Sequence, residues 1–480
     1  MEATPDPRAP LPHVVVVGGG IAGLAAAFYL KDEPVRVTVL EGSRAIGGKL
    51  SVSEVAGVPV DEGAEALLAR RPEGIDLITA TGVGQGLVPA GTTSSAIYTR
   101  GTLRPLPRRQ FMGVPADISE LAATGVVSPA GIERAKAETV LPPGGGGDGD
   151  VSVTEYIGRR VGAEVVDRLV DPLLGGVYAG RSEDLSFRAT LAPLAAAAAK
   201  NDTLTGAAAA LVPPPPPDGA PRTPVFVSLT TGLGALPEAV AKASGAEIRT
   251  GAMVRTLERT AAGWRLTVGS AANPEYLEAA AVIIAVPAVP AARLLSGTDQ
   301  AASAALARIP YASMAIITLA FRAGEFPADQ LGRSGYLVPA VDGRAVKAAT
   351  FSTVKWPHLA EQGDGVHVVR CSVGRAGEVA VLQRDDEDLV ALAAEELGAA
   401  IGVGGKPVAS RVTRWGGGLP QYNVGHLERV AAIREAVAAQ PGLAVAGAAY
   451  DGIGIPACVA TARSAARQVL SHVKPPEPGA

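Results

Sequence analysis

The first strongly patterned stretch of the chain is 14-VVVVGGGIAGLAAAFYL-30, where four valines run into a glycine cluster and then into an alanine-rich apolar run. This pattern predicts a strand, a tight turn and a helix. A second β-branched run at 35–40 completes a βαβ unit. Between 111 and 211 the period changes. Segments 116–125, 130–141 and 153–174 have helical spacing, and the alanine run 191–210 is helical by propensity. The tract 142-PPGGGGDGD-150 interrupts these helices as a loop. The run 213-PPPPP-217 ends them, because proline has no amide to donate and fixes its own φ. From Val225 onward alternation returns. It predicts strands over 246–269, 281–286, 312–321, 366–373 and 409–415, with a helix over 385–401. The chain closes with a strand at 443–447, a glycine loop at 448–457 and a helix at 458–473. That ending predicts a return to the first sheet, so the first domain is expected to be discontinuous.

Composition narrows the class. A chain of 480 residues is expected to form two or three domains. Apolar residues reach 48% and charged residues 19%, yet the longest apolar candidate, 281–295, is short and broken by prolines. No spanning helix is expected, which leaves peripheral membrane contact open. The N-terminal MEATPDPRAPLPH has no apolar signal core and is read as a short leader of a cytoplasmic protein. Two cysteines, Cys371 and Cys458, exclude a disulfide framework, and five scattered histidines suggest no metal site. A net charge of −4 without a basic block argues against nucleic acid as a partner.

The glycine turn carries the first chemical signal. Gly18 permits the tight turn, Gly20 lets backbone approach a pyrophosphate, and Gly23 lets the helix pack on the strand. The helix start, with Gly19, Ile21 and Ala22, presents free amides and the positive dipole end to phosphate. About 20 residues on, Glu41 ends the second strand, where an acid binds ribose hydroxyls and disfavours a 2′-phosphate. NAD and FAD remain. The continuation 41-EGSRAIGGKL-50, an arginine followed by Gly47-Gly48, resembles FAD-binding oxidases. The segment 60-VDEGAEALLARR-71 is expected along the flavin edge. The glycines of 448-AAYDGIGIPA-457 are expected to bring backbone against a planar ring, with the following helix dipole favouring reduced, anionic flavin. No second GxGxxG stands in strand–helix context, so dioxygen is the expected electron acceptor instead of a nicotinamide.

Several further segments then resemble one family: VLEGSRAIGGKL, GTLRPLP, DPLLGGVYAGRSEDLSF, TTGLGALPEAVA, RWGGGLPQYNVGH and AGAAYDGIGIPACVATARSAA, in family order over nearly the whole chain. The chain resembles the FAD-dependent porphyrinogen oxidases, protoporphyrinogen oxidase and bacterial coproporphyrinogen III oxidase. The resemblance implies an α/β fold with a discontinuous Rossmann-like FAD domain (1–70, 225–295 and 411–480). It also implies an interleaved α+β substrate domain (71–110, 212–224 and 296–410) and a helical subdomain (111–211). It implies a six-electron oxidation of a porphyrinogen by hydride transfer to FAD, with three dioxygen molecules reduced to hydrogen peroxide.

Carried over by motif, the FAD contacts are Gly18, Gly19, Gly20, Ile21, Ala22, Gly23, Glu41, Gly42, Gly48, Lys49, Gly63, Ala64, Val254, Trp415, Ile453, Gly454 and Ile455. Tyr178, Ala179 and Gly180 match a substrate-lining segment whose carbonyls face pyrrole N–H groups, though several members have glycine at Ala179. Mitochondrial members carry a propionate-binding arginine where Ser94, Ser95 and Ala96 stand here. Arg71, with Arg70, Arg104, Arg108 and Arg109, is therefore the expected propionate partner. No catalytic acid or base is expected, and His426 is read as a structural histidine holding a turn. Coproporphyrinogen III is favoured over protoporphyrinogen, with a downstream haem-pathway enzyme as a further partner. Amine oxidation is disfavoured by the aliphatic Ile455 and carotenoid desaturation by the porphyrinogen-type segments. A porphyrin-binding flavoprotein without turnover is the reading of a different class.

Overall fold

In the computed structural model, residues 10–138, 149–212 and 224–473 are described. Residues 142–148 of the expected glycine loop, the proline run 213–217 and most of the leader lie outside them. Five parallel strands form one sheet in the order Glu247–Arg249, Arg36–Leu40, His13–Val17, Ala281–Ile284, Leu443–Val445. The central strand His13–Val17 is buried along its whole length, which is why it reads as an unbroken valine run and not an alternation. Val14 and Val16 pack against the helices Ile21–Tyr29, Leu236–Ser244 and Ile455–Val473. Val15 and Val17 face the other way, toward Trp264, Leu266 and the helices Ala288–Leu295 and His426–Ala438. Alanines 25–27 and Ala462, Ala465 and Ala466 keep the first and last helices close together.

A second sheet has seven strands in the order Ala409–Pro420, Tyr311–Arg322, Val366–Val373, Val346–Phe351, Gly335–Leu337, Ser95–Thr99, Thr102–Pro105. All its pairings are antiparallel except Gly335–Leu337 with Ser95–Thr99. One face, with Ile317, Leu319, Phe321, Val369, Cys371 and Val373, is covered by helix Asp386–Ile401 through Leu389, Ala393, Leu397 and Ile401. The opposite face carries Thr318, Thr350, Arg370 and Ser372, because strand alternation sends these positions away from the apolar core. Short helices between Ile118 and Leu211 form a separate core around Leu121, Ile157, Leu169 and Phe187.

Several expected elements differ from those found. Helix 153–174 is broken. It stops at Gly162, whose φ of +99° is outside the helical region, and a wide π turn at Val166–Val170 precedes Asp171–Tyr178. Pro172, in the first turn of that last helix, has no amide to give. The alanine run divides into Ala192–Ala198 and Leu204–Leu211, because Asn201 bonds the Ala197 carbonyl and Thr203 caps the Gly206 amide. The last helix starts at Ile455, earlier than Cys458, since Pro456 is tolerated in a first turn. Strand Asn273–Ala279 and helix His426–Ala438 had no predicted counterpart. The expected boundary at 411 falls inside strand Ala409–Pro420 of the seven-stranded sheet.

Candidate functional site

The loops that leave the parallel sheet at its carboxyl edge converge on the 18–23 turn. A side chain on Gly18 (φ +113°) would lie 2.7 Å from the Ala285 carbonyl, and one on Gly23 would lie 1.9 Å from the Gly18 carbonyl. These two glycines are required by the protein's own backbone. Gly20 is different: no atom stands within 4 Å of where its Cβ would be. Packing within the chain therefore does not explain Gly20, whereas close approach by a ligand does. Gly47 lies beside it, bonded through its amide to the Gly19 carbonyl at 2.9 Å, and Gly48 (φ +60°) comes within reach of the Gly20 Cα. The Glu41 carboxylate accepts from the Gly19 and Ser43 amides, each at 2.7 Å, and so is held at the strand end beside the turn. Residues 251–254 run alongside, with the Ala252 amide on the Glu41 carbonyl at 2.8 Å. Met253 closes on Gly42, and Val254 is buried at the start of its strand.

The 61–65 segment crosses toward the seven-stranded sheet. A Cβ on Gly63 would sit 2.0 Å from the Lys49 carbonyl, so these two positions lie against each other. Trp415 donates Nε1 to the Glu62 carbonyl at 2.9 Å, with its ring 3.5 Å from the Gly63 Cβ position. Ala64 is exposed beside it. Glu65 anchors the segment. It accepts from Lys355 Nζ and Arg370 Nη1, both at 2.6 Å, while Arg370 Nη2 donates to the Gly63 carbonyl at 2.6 Å. These two cations hold the Glu65 carboxyl down at about 2 despite its burial. Asp61 behaves oppositely. Burial outweighs the bonds it accepts from the Leu233 and Gly234 amides and lifts it to about 6. Burial also lowers the Lys49 ammonium and pushes the Cys458 thiol up to about 11.

The C-terminal loop is pinned by Tyr422. Its hydroxyl donates to the Ala448 carbonyl and accepts from the Gly452 amide, both at 2.7 Å. Ile453 beyond it packs on the helical layer, and Gly454 and Ile455 open the last helix. The Tyr422 ring stacks on His426 at 3.8 Å and tilts against Tyr178 at 5.5 Å. His426 is fully buried with Nε2 on the Tyr450 carbonyl, and burial lowers its pKa to about 4. The ring is therefore neutral at physiological pH and acts as a packing element of this turn.

Tyr178, Ala179 and Gly180 form the C-terminal cap of their helix. Ala179 takes the left-handed conformation at φ +49°, and a side chain on Gly180 would meet Gln421 Oε1 at 2.3 Å. The carbonyls expected to face pyrrole groups have protein partners: Tyr178 accepts from Gln421 Nε2 at 2.8 Å, and Ala179 from the Ala376 amide at 2.7 Å. Arg71, at the start of helix Pro72–Ala80, pairs with its neighbour Glu73 at 2.9 Å. Arg70 lies over the Phe111 ring at 5.8 Å.

The model of the flavin-containing amine oxidoreductases matches residues 21–470. The chain belongs to that family. It is an FAD-dependent oxidoreductase, and among its relatives is the coproporphyrinogen III oxidase of Bacillus subtilis, 32% identical over 96% of this chain and 98% of the relative. That of Mycobacterium tuberculosis H37Rv is 36% identical over 95% and 96%. A solved Exiguobacterium structure, named for protoporphyrinogen oxidase, is 29% identical, with a TM-score of 0.83 over 95% of this chain and 98% of that one. Cyclohexylamine oxidase from Brevibacterium oxydans, at 18% identity and a TM-score of 0.70, shares the fold. The open side of Gly20 and the tethered Glu41 carboxylate fit the flavin dinucleotide of this family.

Sequence reasoning missed Glu65, Lys355, Arg370 and Tyr422 as site-building residues of this oxidoreductase. Glu65 stands two positions after Gly63 and was the one with a local signal. Arg370 reads in HVVRCSV as an outward charge on an alternating strand, and only the fold reveals that this face is covered.

Proposed function

We propose that the protein oxidises coproporphyrinogen III to coproporphyrin III in haem biosynthesis, consuming three dioxygen molecules and releasing three of hydrogen peroxide. The observation that carries this reading is similarity along almost the whole chain to coproporphyrinogen III oxidases at 32–36% identity. FAD, when bound, would supply the two-electron redox chemistry that links a porphyrinogen to dioxygen. The 18–23 turn and Glu41 would hold its pyrophosphate and ribose, Gly42 and Val254 its adenine end, and Gly48, Lys49, Gly63, Ala64, Trp415 and 453–455 its ring. The Arg370–Glu65 pair keeps the 61–65 segment in place, and Tyr422 keeps the 448–452 loop. No side chain is needed as a general base, because pyrrole N–H protons can pass to water; the neutral, buried His426 supports that view. Tyr178, Ala179 and Gly180 would line the substrate chamber, with Arg71 toward a propionate. A cytoplasmic site of action and hand-over to the next haem-pathway enzyme belong to the same reading.

Protoporphyrinogen is the second substrate to test, since the Bos taurus protoporphyrinogen oxidase is 28% identical over 95% of this chain. Anaerobic mixing of the yellow holoprotein with each porphyrinogen, followed by aeration, separates the readings. Faster flavin bleaching by coproporphyrinogen III, with porphyrin fluorescence and peroxide appearing on aeration, is the expected result. Faster bleaching by protoporphyrinogen reverses the substrate order. Tight porphyrin binding without bleaching replaces the enzyme by a carrier.

A further inference from the structure

We infer that Lys347 is a carboxylate anchor of the substrate chamber, taking one propionate of the porphyrinogen; the inference rests on the reading above. Strand Val346–Phe351 is irregular at this residue. Val346 pairs with Val373 and Ala348 with Ser372, so Lys347 is an inserted position. A bulge of this kind re-aims a side chain out of the strict alternation. Val346, Ala349 and Phe351 go to the apolar core under helix Asp386–Ile401. Ala348 and Thr350 share the other face with Arg370 and Ser372. Helix Asp171–Tyr178, which ends in the Tyr178–Gly180 turn, packs on this strand.

The local charge is unbalanced. Lys347 is 4% exposed, yet among the described residues no carboxylate pairs with it. Its charged neighbours are Arg375 and Glu378. Arg375 is itself buried, donates to the Val338 and Arg344 carbonyls and pairs with Glu378 at 3.5 Å. Glu378 is shared further with Arg181, at 3.3 Å. Arg181 pairs as well with Glu183, at 3.7 Å, so three cations stand against two acids, both engaged by arginines, next to the turn whose Ala179 carbonyl binds the Ala376 amide. Burial and Arg375 push the Lys347 ammonium down to about 7. A buried cation without an acid is costly, and an incoming carboxylate relieves that cost with a charge-assisted bond. Coproporphyrinogen brings four carboxylates and its esters none.

The test compares wild type with Lys347→Met and Lys347→Arg, using coproporphyrinogen III and its tetramethyl ester. Lys347→Met is expected to raise KM for the free acid about tenfold to a hundredfold, far more than it lowers kcat. Lys347→Arg recovers part of that loss. For the ester the variants and wild type differ little. The thermal midpoint of Lys347→Met stays level or rises, because an uncompensated buried charge is removed. A KM within twofold of wild type, or an equal loss with acid and ester, overturns the anchor. If wild type itself oxidises neither porphyrinogen, the functional reading fails separately. Fluorescence titration with coproporphyrin III then decides the anchor: weaker binding by Lys347→Met sustains it, and equal binding overturns it.

Discussion

Replacing Glu65 by glutamine removes the acid from a buried triad while keeping its shape. Glu65 is bonded by Lys355 and Arg370 at 2.6 Å each, with side chains 13%, 15% and 7% exposed, so solvent screens the triad little. Its pKa falls from 4.5 to about 2 on folding. At 1.36 kcal/mol per unit, the charged form contributes about 3 kcal/mol relative to the protonated one. The amide would also leave two buried cations uncompensated, a loss of about 3–5 kcal/mol. The folded pKa is depressed, so this stability is fully present above the unfolded pKa and is lost as pH falls from about 4.5 toward 2. Urea unfolding of the holoprotein at pH 7 and near pH 3 reads both features. A gap of several kcal/mol between wild type and Glu65→Gln at neutral pH should narrow in acid. Because Arg370 also binds the Gly63 carbonyl, the flavin absorption band should shift as well. A gap below about 1 kcal/mol at pH 7, or one that does not change with pH, would refute this account.

Gly23→Ala forces a methyl to within 1.9 Å of the Gly18 carbonyl. It should cost about 3 kcal/mol and most of the bound FAD, and a wild-type flavin-to-protein ratio after purification would contradict this. Tyr422→Phe leaves the Ala448 carbonyl and Gly452 amide without their 2.7 Å partner. A loss of about 2 kcal/mol and faster FAD release are expected, checked by thermal melts and by flavin fluorescence after dilution. His426→Phe keeps the stack on Tyr422 but removes a group whose folded pKa is lowered from 6.5 to about 4. Stability tied to the neutral ring is present above about pH 6.5 and lost as pH falls toward 4, so the variant should lose less stability than wild type between pH 7 and 5. Parallel decline of both proteins would remove His426 as the cause, and abolished turnover at pH 8 would return it to catalysis.

The glycine turn was legible because its demands are local. Gly18 and Gly23 are needed by backbone within the βαβ unit and by the Ala285 carbonyl laid beside it, and Glu41 follows at the spacing set by one helix and one strand. Helix and strand periods were legible for the same reason, although Gly162 and the Asn201–Thr203 side chains broke runs that propensity alone joined. Arg71 stood out as a charge near a motif, and its observed partner, Glu73, is two residues away in sequence.

By itself the sequence carried the strand–turn–helix geometry of residues 14–30, the alternation of strands such as Tyr311–Arg322 and Val366–Val373, and the resemblance of the motifs to one family. The first two follow from backbone sterics and side-chain period within some thirty residues, and the third from the order of matching motifs along nearly the whole chain. Only tertiary structure decided which strands became neighbours and which face each of them buried. Glu65 and Arg370 are 305 residues apart, and their bond exists because the seven-stranded sheet is laid against the 61–65 segment. Lys347 reads as an ordinary surface lysine until a bulge and a crossing helix bury it. A charge declares its partner only through space, and no local pattern records which distant carboxylate, or which substrate, will meet it.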